Sequence, residues 1–568
     1  MQKFLTLICI TSIIVTIAIM TNIIHLDNFG KCLNMTFNDE REFKSKNKII
    51  LIPLDSRPPC TDFVVDLGKI ADTEIIIPPS KLLDYFTIAG ETDKIKEWLL
   101  ENVNEADAII LSIDQIVSGG LISSREKVLN YDDIASLEKF LIDLRNKTSV
   151  PIYAFSILPR TQPQQSIDNY KIRRALNAYS RLIGLAHAGL PADDEAFFEA
   201  LSEVDTNNFN AYINRFDMNE KLNCNLIKLT QEGILDRLII GLDDGEEYSI
   251  QNLMIDNLRE EINSSSTADK VSIIHGADEI ALTYLAEISL NRNDNNSLKV
   301  CILYNQPETA SLIMPYMAVP IETVVKEKVQ QFNLNIVNTP EEADFTLLVS
   351  VNDEDIKNGK YDTRINISDQ LEKLISNNIK VALVDLSVNF DKNETLLPIL
   401  IENEIPINSL ISYAGWNTAS NAIGTAITQA LLIRNSEFGM RNYEEVLNCE
   451  LENLRFLNQR FIEDQFYLKD GIDTVNHALK NSGSYDTSYL DFKTEYEYAT
   501  FIMRAVMNKK IADFKCSTAF QKPIEINLPD KIYKISLKNF TTNIKYPWPR
   551  TFEIKLHIDN LEYKLWEK

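Results

Sequence analysis

Between residues 49 and 279 the chain carries short apolar runs separated by longer amphipathic stretches, and this alternation restricts the fold more than any other feature. The runs are IILIPLD (49–55), EIIIPP (74–79), AIILSID (108–114), PIYAFSILPR (151–160), RLIIGLDD (237–244) and VSIIHGADE (271–279). Each has strand length and is rich in β-branched residues. Segments with helical spacing, such as TDKIKEWLLENV and YDDIASLEKFLIDLRN, lie between them. Strands that are apolar throughout and joined through helices predict a parallel sheet covered on both faces. Six such units fit an α/β fold with a (β/α)-barrel-like parallel core, a doubly wound sheet being the alternative.

A second α/β series follows: KVCILYN (299–305), ADFTLLVSVND (343–353), KVALVDLSVN (380–389) and SLISYAGWN (409–417). It either completes the barrel or forms a separate flavodoxin-like unit. Residues 418–515 read as helical. The tail segments IYKISLKNF and TFEIKLHID alternate with period two around KYPWPR, which predicts a small antiparallel β unit. The expected organisation is a signal peptide or membrane anchor (1–25), a polar stalk (26–47), a catalytic core (48–295), a second α/β region (296–430), a helical region (431–515) and a β unit (516–568).

Composition narrows the function classes. A length of 568 residues suits two to four domains, and 45% hydrophobic with 24% charged residues is ordinary globular usage. Lys plus Arg total 57 against 82 Asp plus Glu, a formal charge of −25. Phosphate backbones repel such a chain, so nucleic acid is not an expected partner. Residues 4–24 are uncharged, long enough to span a bilayer core, and preceded by Lys3. They predict a cleaved signal or an uncleaved anchor, hence contact with a membrane and an extracytoplasmic location. The 5 His and 7 scattered Cys lack metal-ligand spacing, and no nucleotide-binding glycine motif occurs, so no metal and no cofactor is expected.

Polar residues collect at the C-terminal ends of the runs: Asp55, Asp114, Arg160, Asp243, Asp244, Asp278 and Glu279. In parallel α/β folds that edge carries the active site. Asp55 and Arg57 stand two apart before Pro58-Pro59 and can clamp a polar ligand or form a salt-bridged loop. Asp114 and Arg125 flank Gly119-Gly120, a pair that permits positive φ or close approach. Adjacent carboxylates at Asp243 and Asp244 suit an acid and a base with separated pKa values, as glycosidic cleavage requires. The alternatives are a metal site, an Arg-paired structural site or a helix cap. Asp278 binds a ligand or caps the helix that follows. Trp416 with Asn417 and Asn421 has the composition of a sugar platform; the alternative is a buried Trp at a helix start, and its Gly, Asn and Thr neighbours favour the pocket. Arg460 and Asp464, four apart on a helix, read as a surface ion pair.

PLDSRP, SIDQIVSGGLISSR, the strand ending in Asp243-Asp244, GADE and YAGWNTASNAIGTA together resemble the bacterial family called domain of unknown function 4127, over roughly residues 48–470. This chain has LDDG where that family is expected to have DDA. A shorter likeness, YAFSILP followed by RLIIGLDD, is similar to glycoside hydrolase family 84. Those enzymes are (β/α)8-barrel β-N-acetylglucosaminidases with an adjacent Asp pair. This likeness implies that Asp243 orients a substrate 2-acetamido group, that Asp244 is the general acid, and that the substrate's own carbonyl is the nucleophile. The expected activity is therefore glycosidase-like hydrolysis of an N-acetylhexosamine-containing glycan through Asp243 and Asp244, with Asp55, Arg57, Asp114, Arg125, Asp278, Trp416, Asn417 and Asn421 binding substrate. A non-catalytic envelope protein binding a polar small molecule, and a metal-dependent hydrolase using Asp55, Asp114, Asp243 and His275, are the competing expectations.

Overall fold

The computed structural model describes residues 33–38, 45–164, 167, 169–191, 195, 199, 201, 202, 204–292, 298–352, 363–438, 442–529 and 531–568. Residues 4–24, expected to meet the membrane, lie outside them. No helix among the described residues is long and apolar enough to cross a membrane.

The first strand, β1 (Leu33–Asn38), belongs to an antiparallel sheet completed near the C-terminus. It falls within the expected stalk (26–47) and corrects that reading in part. Its Met35 and Phe37 share one strand face, and Phe37 is buried in the core beneath that sheet.

Six strands follow: β2 (Asn47–Ile52), β3 (Thr73–Ile76), β4 (Ala108–Ser112), β5 (Ile152–Leu158), β6 (Arg237–Leu242) and β7 (Val271–His275). They form one parallel sheet in the order β3-β2-β4-β5-β6-β7. Ile49 and Leu51 bury one face of β2 and Ile50 and Ile52 the other, which explains why the runs lack alternation. The sheet is open: β3 and β7 do not pair with each other. This corrects the barrel-like closure and the family 84 barrel behind it, and the doubly wound alternative describes the strand order. Both faces of the sheet are already covered by helices. One face packs on Asp62–Ile70 and Ile280–Arg292, the other on Thr92–Asn102, Tyr131–Lys147, Thr206–Gln231 and Ile250–Ser264.

The second series forms its own parallel sheet: β8 (Lys299–Tyr304), β9 (Asn335–Val337), β10 (Phe345–Val351), β11 (Val381–Leu386) and β12 (Ser412–Ala414), in the order β12-β11-β10-β8-β9. Each parallel sheet thus reverses direction between its first and third strands. The helices Ile280–Arg292 and Ala419–Phe438 lie in one continuous core with both sheets. The second helix runs across the boundary expected at residue 430. The expected helical region contains Tyr443–Arg460, a π-helical stretch Phe461–Gly471, Ile472–Asn481 and Tyr496–Cys516. Finally β13 (Ile524–Asn527), β14 (Ile532–Lys545) and β15 (Lys555–Glu567) join β1 in the antiparallel sheet β1-β15-β14-β13.

Candidate active site

In a doubly wound sheet, ligands bind beyond the carboxyl ends of the strands, where the strand order reverses. Here that point lies between the loop after β2, with Asp55 and Arg57, and the short helix Ile113–Ser118 after β4, with Asp114. All three side chains are buried. Asp55 Oδ1 accepts the Arg57 backbone N–H at 3.0 Å, and Asp55 Oδ2 accepts Arg57 Nε at 2.9 Å and Nη2 at 2.6 Å. The same Nη2 donates to Asp278 Oδ1 at 2.6 Å, so one guanidinium bridges the ends of β2 and β7. A buried ion pair offsets its desolvation best where such hydrogen bonds are complete.

The second sheet reaches into this cluster. Asn417, just beyond β12, has φ 51, a left-handed conformation that Asn tolerates. Its Nδ2 donates to Asp278 Oδ2 at 3.2 Å, and Asn421 Nδ2 donates to the same oxygen at 3.4 Å. With the Cys60 thiol 3.8 Å from Oδ1, Asp278 therefore receives four side-chain donors, from segments that follow strands of both sheets. Burial, despite Arg57, still raises its carboxyl to about 6.

The adjacent pair after β6 is divided. Asp243 Oδ2 accepts Arg125 Nε at 2.9 Å. Burial opposes its ionisation, but the charges of Arg125 and Arg160 outweigh that and hold the carboxyl below the ordinary range. Asp244 is half-buried, and its carboxyl forms no hydrogen bond or ion pair among the described residues. Burial, then the Asp243 charge, raises it to about 6. One carboxyl is thus a fixed anion and its neighbour a proton donor near neutrality. A narrow depression of about 10 Å3 is lined by Asp243, Asp244, His275, Tyr316 and Asn421.

The remaining expected residues divide. Asp114 is buried, accepts the Ile157 N–H at 2.9 Å, and is raised by burial to about 6 while lying near the Asp243 charge. Trp416 is corrected: at 4% exposure its ring packs edge-on against Phe63 (centroids 5.9 Å apart) in the apolar core and presents no face to a sugar. Arg460 and Asp464 are fully buried rather than a surface pair, because Asp464 also accepts the Gly415 N–H at 2.9 Å beneath β12.

The proposed metal set does not assemble. His275 Nδ1 lies 2.9 Å from a Glu327 carboxylate oxygen, and Asp243 is held by Arg125. Asp55, Cys60 and Asp278 do offer ligand atoms within 4.8 Å of one another, but the Arg57 guanidinium already occupies the space between the two carboxylates.

Two site residues escaped the sequence reading. Tyr316 lines the depression beside Asp243 and Asp244, is 53% exposed, and has φ 65. It sits in a loop after β8 that carries no motif. Asp84 lies in the loop after β3, whose run EIIIPP ends without an acid, so strand-end reading passed over it. Gly120, at φ 120, lets the backbone approach Asp84; a Cβ there would lie 2.9 Å from Asp84 Cγ. Burial, then the Asp55 charge, raises the Asp84 carboxyl to about 8. An acid whose folded pKa exceeds its unfolded value destabilises the fold as pH rises from about 4 through about 8. Asp84→Asn removes that proton linkage. It should leave urea stability nearly unchanged near pH 4 and raise it by a few kcal/mol near pH 8, at 1.36 kcal/mol per pKa unit. Equal wild-type and variant stabilities at the higher pH would show that Asp84 is not held protonated.

Residues 49–557 match the family described as "Protein of unknown function (DUF4127)", so the chain belongs to that family. No curated protein and no solved structure matches the chain.

Proposed function

We propose, for this member of the DUF4127 family, a glycosidase-like hydrolase that cleaves an N-acetylhexosamine-containing glycan by acid catalysis from Asp244. The observation that carries the reading is the division within the Asp243–Asp244 pair: an anion pinned by Arg125 beside an unpartnered, half-buried carboxyl raised to about 6. Asp243 accepts the acetamido N–H and thereby raises the electron density on the acetamido carbonyl oxygen. That oxygen attacks the anomeric carbon as the glycosidic bond breaks, and Asp244 gives its proton to the leaving oxygen. Asp244, then a carboxylate, takes a proton from the water that opens the cyclic intermediate, and its own proton is restored. Tyr316 offers the exposed ring that Trp416 does not. The protein works outside the cytoplasm, tethered or exported by residues 4–24, on a glycan rather than on nucleic acid.

Asp244→Asn should lower hydrolysis of an aryl N-acetylglucosaminide by about 10²–10⁴-fold without lowering the melting temperature. The wild-type rate should fall as pH rises above about 6, because the acid must be protonated. Undiminished turnover in the variant removes the general-acid role, and an inert wild type removes the substrate class. Two carboxyls locked in ion pairs would favour the non-catalytic reading, and the Asp244 carboxyl is not locked in this way.

A further inference from the structure

Arg215 is an arginine whose charge the proposed chemistry does not use. It lies on the helix Thr206–Gln231, is buried, and sits over the Tyr212 and Phe216 rings at 5.4 Å and 5.2 Å. Its guanidinium forms no ion pair among the described residues. Nη1 donates to the Arg125 carbonyl at 3.2 Å, and Nη2 donates to the Arg160 carbonyl at 3.0 Å and the Gln162 carbonyl at 3.2 Å. Burying a cation without an acid is costly, and burial lowers the Arg215 pKa to about 10. What this arrangement achieves is positional: it ties the helix Leu121–Glu126, which carries Arg125, to the loop that carries Arg160.

Those two arginines are unequal. Arg125 is neutralised by Asp243. Arg160 forms no ion pair among the described residues, and its buried Nε has no hydrogen-bond partner. The surrounding charges are Arg125, Asp243, Asp244 and Glu126, and burial followed by the like charge of Arg125 lowers its pKa. Gln251, which lines the depression beside Asp243 and Asp244, donates to the Pro159 carbonyl at 3.1 Å and so fixes Arg160 next to that depression. In a chain of formal charge −25, three arginines converge here while only Asp243 is directly paired with one of them.

We propose that Arg160, held beside Arg125 by Arg215, is an oxyanion subsite, so that the ligand is a sugar bearing a carboxylate or a phosphate. An arginine without a carboxylate partner offers the charge and planar donor set that these groups accept. The inference rests on the hydrolase reading only for the sugar; the anion preference is independent of turnover.

Titration calorimetry on the full chain with two probe pairs tests it. One pair is N-acetylglucosamine and its 6-phosphate; the other is glucose and glucuronate. At low ionic strength at least one charged member should bind about tenfold or more tighter than its neutral partner, and the preferred pair tells phosphate from carboxylate. Arg160→Gln should erase the preference with an unchanged melting temperature, and Arg160→Lys should keep part of it. Asp244→Asn should preserve it. Equal binding within both pairs, no binding of any probe, or a preference that survives Arg160→Gln overturns the subsite. A preference that persists although Asp244→Asn leaves turnover untouched upholds the subsite and defeats the general-acid reading instead.

Discussion

Arg57→Met should destabilise the fold by about 3–5 kcal/mol near pH 7.5 in urea denaturation, because it leaves two buried carboxylates without their shared counter-charge. Asp55 and Asp278 both receive the same Nη2 at 2.6 Å, and both are buried. Asp84 is close enough for the Asp55 charge to raise it and the Arg57 charge to lower it, so a third acid feels the loss. The cost depends on pH with a definite sign. Asp278 titrates at about 6 even with Arg57 present. Removing the cation drives its pKa higher, so protonation near pH 5 relieves the repulsion and the difference from wild type shrinks. Arg57→Lys keeps the charge but not the planar fork and should fall between the two. An equal penalty near pH 5 and pH 7.5 would assign the loss to packing against Trp548, whose ring lies 5.2 Å from the guanidinium.

That cluster also marks how far the sequence could be read. Apolar runs ending on Asp55, Asp114 and Asp243 placed these residues at the carboxyl edge of a parallel sheet, because both the runs and the edge follow from local pattern. Closure was not legible. A six-stranded parallel sheet has the same run-and-helix grammar whether open or barrelled, and only the order β3-β2-β4-β5-β6-β7 distinguishes them. Pairings between elements distant in sequence were equally invisible. Arg57 reaches Asp278 across 221 positions, and Asn417 reaches it across 139. Trp416 failed as a platform for a related reason. Its Gly- and Asn-rich neighbours suggest a pocket, whereas the ring's surroundings are set by Phe63 on a helix more than 350 positions away. Asp84 was missed because its loop folds back onto the site without any apolar run ending on it.

The buried pair Glu279–Lys328 is the second place where a single change should have a large effect. Nζ lies 2.6 Å from Oε1, and both side chains are 0% exposed. The protein is shaped around the acid: a Cβ on Gly276 would lie 1.9 Å from Glu279 Oε1, and one on Gly424 would lie 2.4 Å from its Cγ. Lys328→Met should therefore cost about 3–5 kcal/mol, since it strands a carboxylate in an apolar core. The pair itself is incompletely satisfied, because Glu279 Oε2 has no hydrogen-bond partner. Two charges removed from water for one short contact are worth little more than well-packed hydrocarbon. The double variant Glu279→Met/Lys328→Met should then be far less destabilised than the sum of its single variants, with a coupling of about 2 kcal/mol or more in a double-mutant cycle. Additive penalties would mean that each side chain contributes through packing alone. The pair also bears on the candidate site, because Glu279 is among the charges that raise its neighbour Asp278. Neutralising both members should lower the Asp278 pKa while leaving its contacts with Arg57 and Asn417 in place, a shift that carboxyl-resolved NMR titration would register even if stability were unchanged.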